Sequence, residues 1–368
     1  MNDDCLGYIL QYLSDEERIH FAQTCRRFRQ IFTDCYRSRY KKFSLDMEGK
    51  RQELTMFCIC RESVTHLTIN IDSFDRCVKG FQDHRQMAPT NCFEILCANL
   101  KGMEQLQRLI INKRERYNYP LGNLWQLQNL HELYLDIQHI DSQNLVKCCK
   151  TNANLRVLHL GYGCVHQNLA NIFPHCRNLE ELKFGVMAEA TEYCQIARLP
   201  KLTKLTHFGV RRSGSFALLL SALNMRPNLQ RLFIDGGSLT LQEAQLLTGL
   251  RNLREIKCFC STADCVALLS QLTALEGLSL WMSSSEDISD AVLGIISSCK
   301  ELKLLRIASA HLRNTFVDET VNLLQKIRNI ELKKPLQLEI PHNIHSIVAE
   351  ETGSGLYVSV DYEPRLKW

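Results

Sequence analysis

The chain has 368 residues, 45% of them hydrophobic, and a net charge of +4. So small an excess on so long a chain is not the basic footprint of a nucleic-acid-binding domain, and no apolar run approaches the roughly 18 residues of a membrane span. The opening MNDDCLGY carries acids where a secretory signal has basic residues, so no signal peptide is expected and the protein is expected in the cytoplasm, the nucleus or both.

Residues 1–42 read as two or three short helices. Leu6, Ile9, Leu10 and Leu13 share a face at helical spacing, and Ser14-Asp15-Glu16-Glu17 has the form of a helix start. Ile19, Phe21, Ala22, Cys25, Phe28 and Phe32 supply the apolar positions that follow. A module of this size buries little surface alone, so it leans on a partner or on a neighbouring domain. The stretch YLSDEERIHFAQTCRRF, Tyr12 to Phe28, resembles the F-box motif: tyrosine-leucine, an acidic turn, alternating aliphatics, then cysteine, two basic residues and an aromatic. Two positions depart from it. The usual leucine-proline would fall on Met1 and Asn2, and Arg18 stands where a leucine usually follows the acidic turn. The resemblance implies docking on a Skp-type adaptor through Leu6, Ile9, Leu10, Leu13, Ile19, Phe21, Cys25 and Phe28. From the residues alone, the same module also reads as a helical cap on the array that follows.

After a linker and flank at 43–62, a six-residue pattern with apolar positions one, four and six recurs eleven times between Val64 and Leu332. It runs VTHLTI, LQRLII, LHELYL, LRVLHL, LEELKF, LTHFGV from Leu205, LQRLFI, LREIKC, LEGLSL, LKLLRI and IRNIEL from Ile327. First members lie 42, 24, 25, 24, 26, 24, 24, 22, 27 and 25 residues apart. On a helix, positions one and six diverge by about 140°, whereas on a strand positions four and six share a face. The pattern is therefore a turn residue followed by a short strand. Helix signals fill the gaps: Thr240 with Glu243, Ser261 with Asp264, and Ser283 with Glu286, each ahead of an apolar stripe.

Strand followed by helix at this period resembles the leucine-rich repeat. The expected fold class is α/β: a leucine-rich-repeat solenoid (horseshoe) with a parallel inner sheet and outer helices, preceded by a small all-α F-box module. The array is expected over 63–334, with an inserted loop near 72–89 and a C-terminal cap over 335–368. Positions three, five and seven then face outward on the concave side. They supply the candidate target-binding residues Tyr134, His159, Lys183, His207, Arg211, Arg231, Phe233, Lys257, Phe259, Trp281 and Arg306. Aromatics among basic groups are what protein-binding hot spots are made of, and the basic excess suits an acidic or phosphorylated segment.

An F-box followed by leucine-rich repeats is the architecture of the F-box/LRR family, whose members are substrate receptors of SCF-type, cullin-RING ubiquitin ligases. The resemblance implies adaptor binding at one end and capture of a target protein at the other. The alternative is a ligase-independent binding scaffold or inhibitor. No phosphate loop, nucleophile elbow or zincin motif occurs, so neither an enzyme nor a cofactor is expected. Seventeen cysteines without CxxC pairing read as buried structural thiols rather than disulfides or a metal site.

Overall fold

The computed structural model describes residues 2–45, 51–70, 98, 100–112, 124–137, 140–162, 164, 169–185, 190–208, 216–224, 228–308, 310–327, 335–340 and 358–362. It divides into two compact units, Met1–Glu181 and Leu182–Trp368. The expected inserted loop, Arg211 and residues 341–357 and 363–368 of the expected C-terminal cap lie outside the described residues.

The first unit opens with helices α1 (Asp3–Tyr12), α2 (Asp15–Thr24) and α3 (Arg26–Tyr36). Each start has a local cause. Asn2 accepts from the Cys5 amide, and Ser14 forms a reciprocal capping box with Glu17. Cys25 breaks the helix between α2 and α3 in extended backbone, and its sulfur accepts from the Phe28 amide at 3.4 Å. Strand β1 (Lys42–Leu45) and helix α4 (Arg51–Cys60) follow. The core of the helical module holds Leu6, Leu10, Ile19, Ala22, Ile31 and Phe32 together with Met56 and Cys60 of α4, and Phe43 of β1 packs against it. The expected linker is thus part of the packing, because forty residues alone could not enclose their apolar faces.

β1 pairs in parallel with β2 (His66–Asn70), then come β3 (Arg108–Asn112), β4 (Glu132–Asp136) and β5 (Val157–Tyr162). Leu67, Leu109, Leu133 and Leu158 stand in one register row, with Ile69, Ile111, Leu135 and Leu160 in the next; all are buried. Each such side chain stabilises the stack by roughly 1.5–3 kcal/mol. The ladder begins one strand earlier than the sequence pattern indicates, at β1, whose position one is the aromatic Tyr40 rather than an aliphatic. Helix α5 (Ser142–Thr151) lies between β4 and β5.

The second unit repeats the motif: β6 (Glu181–Gly185), α6 (Ala190–Ala197), β7 (Lys204–His207), α7 (Ala217–Leu223), β8 (Arg231–Leu239) and α8 (Leu241–Leu247). It continues with β9 (Glu255–Cys260), α9 (Ala263–Leu268), β10 (Gly277–Met282), α10 (Ser289–Ser298), β11 (Leu304–Ala308), α11 (Phe316–Ile327), β12 (Leu336–Ile340) and β13 (Val358–Tyr362). Strands β7 to β13 pair in parallel in chain order.

Two repeats sit in a different frame from the one expected. Leu205 pairs with Leu232, so it holds position four and the repeat begins at Leu202, not Leu205. Ile327 ends a helix; the strand of that repeat is β12, where Leu338 pairs with Leu305.

Side chains tie each repeat to its neighbour. Asn129, Asn178 and Asn228, each just before position one, donate from Nδ2 to the carbonyls of Glu104, Ala153 and Pro200 in the preceding repeat. Acids do the same for helix starts. Buried Glu243 completes the capping box of α8 and also accepts from the Phe216 amide at the start of α7, at 2.6 Å. Glu286, expected to cap its own helix, instead accepts from the Ala263 amide of α9 at 2.7 Å, while Asp287 accepts from the Ser289 amide of α10.

Candidate binding surfaces

On the helical module, the adaptor residues expected from the motif fall into two groups. Leu6, Leu10 and Ile19 are buried in its own core, and Leu13, Phe21 and Phe28 pack partly against it. Leu6, Leu10 and Ile19 are thus committed to the module's own core, while Leu13, Phe21 and Phe28 keep part of their surface open to solvent. Ile9 and Cys25 are exposed. Beside Ile9 stand Tyr8 and Tyr12, 59% and 71% exposed, with ring centres 5.1 Å apart and hydroxyls in contact at 2.5 Å. These three side chains on α1 are the majority of the large apolar groups exposed among the described residues, the others being Leu218 and Leu241. The i, i+4 spacing of the two tyrosines, on the face opposite Leu6 and Leu10, was the readable signal for this patch.

Arg18, the departure from the motif, has a structural place. Its guanidinium donates to the carbonyls of Leu10 and Gln11, pairs with Asp15 at 2.8 Å and lies 4.9 Å over the Tyr36 ring. It closes the carboxyl end of α1, where helix carbonyls lack partners and a cation is favoured.

On the open sheet face of the first unit, Arg108, Tyr134, His159 and Glu181 form a chain of contacts across neighbouring strands. The Arg108 guanidinium stands 4.9 Å over the Tyr134 ring and 3.3 Å from Glu132; the Tyr134 hydroxyl donates to Glu132 at 2.9 Å. The imidazole of His159 meets the Tyr134 ring edge-on at 4.4 Å and bonds Glu181 at 2.7 Å. Burial, with the bond to Glu132, pushes the Tyr134 phenol up to about 12. Positive and negative groups are matched here.

The second unit differs. Lys183 and Arg231 are exposed, and Phe233, Lys257, Phe259 and Arg306 are half-buried. Phe233 lies between two ammonium groups, with Lys257 Nζ 4.8 Å and Lys204 Nζ 5.6 Å from its ring centre. Lys183 Nζ stands 5.2 Å over Phe208, whose ring crosses Gly185 so closely that a Cβ there would come within 2.5 Å of it. Arg231 lies 3.6 Å from Glu255, and Arg306 pairs with Glu339. Lys204 and Phe208 belong to this surface; the frame displaced by three residues had hidden them.

His207 is a correction. It occupies core position six, is fully buried, bonds the Tyr193 hydroxyl at 3.1 Å and packs edge-on against Phe184 and Phe216. Trp281 is a second one. It stacks on Phe259 at 5.3 Å and is only 7% exposed. Strand β8 carries a bulge between Phe233 and Ser238, with Gly236 at φ 93°, and the Ser238 hydroxyl meets that of Ser283 beyond β9. Of the described cysteines, nine are buried, and burial pushes the thiols of Cys60 and Cys148 up to about 12, far from a reactive thiolate.

The F-box domain family model matches residues 1–40. Among solved structures, the chain is similar to an internalin (inlF) of Listeria monocytogenes, at 14% identity over 79% of this chain and 94% of that one, with a TM-score of 0.43. It is also similar to internalin C2 of the same organism, at 17% identity over 59% of this chain and 84% of that one, with a TM-score of 0.35. At such scores the leucine-rich-repeat assignment rests on the strand ladder and its spacing. No curated protein matches the chain. The chain thus joins an F-box domain to a leucine-rich-repeat fold.

Proposed function

We propose that this protein is the substrate-recognition subunit of an SCF-type ubiquitin ligase, acting in the cytoplasm or nucleus. The F-box domain at residues 1–40 carries this reading. Its exposed Tyr8–Ile9–Tyr12 face offers a Skp-type adaptor an apolar patch with hydroxyl tips, of the kind that protein interfaces favour. Through that adaptor the chain would join a cullin-RING ligase, and the repeats would hold a target protein for ubiquitination and degradation by the proteasome. Its contribution to the transfer is proximity, the chemistry being that of other subunits.

The test is co-purification of the full chain with a Skp-type adaptor, beside a Tyr8→Asp, Tyr12→Asp double variant. Both residues are exposed, so the variant keeps its fold and its far-ultraviolet circular dichroism. Binding by the parent and at least tenfold weaker binding by the variant supports the reading. No binding by the parent leaves the alternative, a repeat scaffold whose first helices serve as an end cap.

A further inference from the structure

Resting on the reading of the repeats as a target-capturing surface, we infer that the second unit's open face binds an acidic peptide segment about seven residues long in polyproline II form, with carboxylates at its two ends and its middle, on Lys204, Lys257 and Arg306. These three cations lie on β7, β9 and β11, two strands apart in each case. At roughly 4.8 Å per strand they span about 19 Å, which the six steps between residues one and seven of a polyproline II segment cover at roughly 3.1 Å each, with every third side chain on one face. A single phosphate group could satisfy one of them at a time, whereas carboxylates about three residues apart meet all three.

The face is prepared for anions. Lys257 makes no ion pair within 4 Å among the described residues; its ammonium stands over the Phe233 ring, a face that attracts a cation without neutralising it. Burial, with Arg306 and Lys204 nearby, holds the Lys257 ammonium below the usual lysine range even though Glu255 and Glu339 act against this. A carboxylate placed there would relieve that crowding. The same Glu255 and Glu339 make a continuous polyanion unsuitable, since they stand in the rows beside the cations and would repel backbone charges passing over them. Spaced acids on a protein segment fit; a nucleic-acid backbone does not.

The test uses the purified full chain and a fluorescein-labelled heptapeptide with glutamate at positions one, four and seven and glycine, serine and proline elsewhere, read by fluorescence anisotropy at two salt concentrations. The peptide is expected to bind at least tenfold more tightly than its glutamine counterpart and to weaken as salt rises. Lys257→Met, which removes the charge and keeps an unbranched side chain of similar reach, is expected to weaken it at least fivefold with an unchanged thermal midpoint. Equal binding of the glutamine peptide, equal or tighter binding of a labelled oligouridine, or no effect of Lys257→Met would overturn the proposal. So would no binding of the glutamate peptide. The assay contains no adaptor, so peptide binding with failed adaptor co-purification would remove the ligase reading and leave this site standing.

Discussion

Arg18 and Tyr36 converge on one backbone oxygen: the Arg18 Nε and the Tyr36 hydroxyl each donate to the carbonyl of Leu10 at 3.0 Å. Residues from α2 and α3 thereby close the end of α1. Arg18→Leu would restore the motif's usual residue yet remove these bonds. The expected cost is about 1–3 kcal/mol, from loss of charge-assisted bonds at a largely buried position. Hydrogen exchange of the α1 amides measures it; unchanged protection would show that the guanidinium is dispensable.

Glu243 gives a larger effect. Its side chain accepts from the amides of Phe216 and Thr240 and from the Thr240 hydroxyl, in full burial. Glu243→Ala leaves the Phe216 and Thr240 amides without their acceptor and is expected to cost about 3 kcal/mol or more in chemical denaturation, by the penalty for unpaired buried groups. Glu243→Gln keeps one acceptor oxygen and should fall between.

At His207, shape matters more than polarity. His207→Ala opens a cavity between Phe184 and Phe216 and should cost about 2–4 kcal/mol, in the range of core truncations. His207→Leu puts an apolar side chain at position six, where the neighbouring repeats hold Phe184 and Ile234, and its thermal midpoint should stay closer to the parent's than that of the alanine variant. Trp281→Ala should likewise lower stability, since the ring is covered.

Acid should weaken the fold through particular carboxylates. Bonds from the Ser14 amide and hydroxyl hold Glu17 below the usual range, the Lys303 ammonium does so for Glu276, and the Thr315 hydroxyl with Arg313 does so for Glu319. Each folded pKa is lowered, so each contribution is complete above the ordinary carboxylate value of 4.5 and is lost as pH falls through the folded one. Stability should be flat from pH 7 to about 5 and decline below about 4.5. Added salt should blunt the part due to Glu276, whose cationic partners Lys303 and Arg254 are exposed, more than the part due to Glu17, whose partner is neutral.

Most of the strand ladder was legible because positions four and six must both be apolar to fill one face of a parallel sheet. The failures have local causes. Leu199, Leu202 and Leu205 follow one another at intervals of three, so two frames overlap, and the correct one puts a histidine in the core. The Tyr193 hydroxyl, bonded to Nε2 of that ring, and the packing of Phe184 and Phe216 accommodate it, and no spacing rule shows either. At the far end, Pro335 takes position one of the β12 repeat, and the stripe Phe316, Val317, Val321, Leu324 belongs to a helix. The asparagine before position one was visible in QNL, RNL and PNL, but its role appears only once the preceding repeat's carbonyl is beside it. The helical module was recognisable from its motif, although which of its apolar residues face outward depended on how α4 and β1 fill its core.

Because Glu243 and Glu286 each finish a helix start belonging to the repeat before their own, completion of the second unit runs backward against the order of synthesis. As the chain emerges from the ribosome, α7 waits for the segment holding Glu243 and α9 for the segment holding Glu286, so folding trails translation by about one repeat. The two chain ends are therefore unequal under trimming. Removal of a repeat from the carboxyl side strips these amide partners from its predecessor, whereas removal from the amino side leaves the remaining helix starts with theirs.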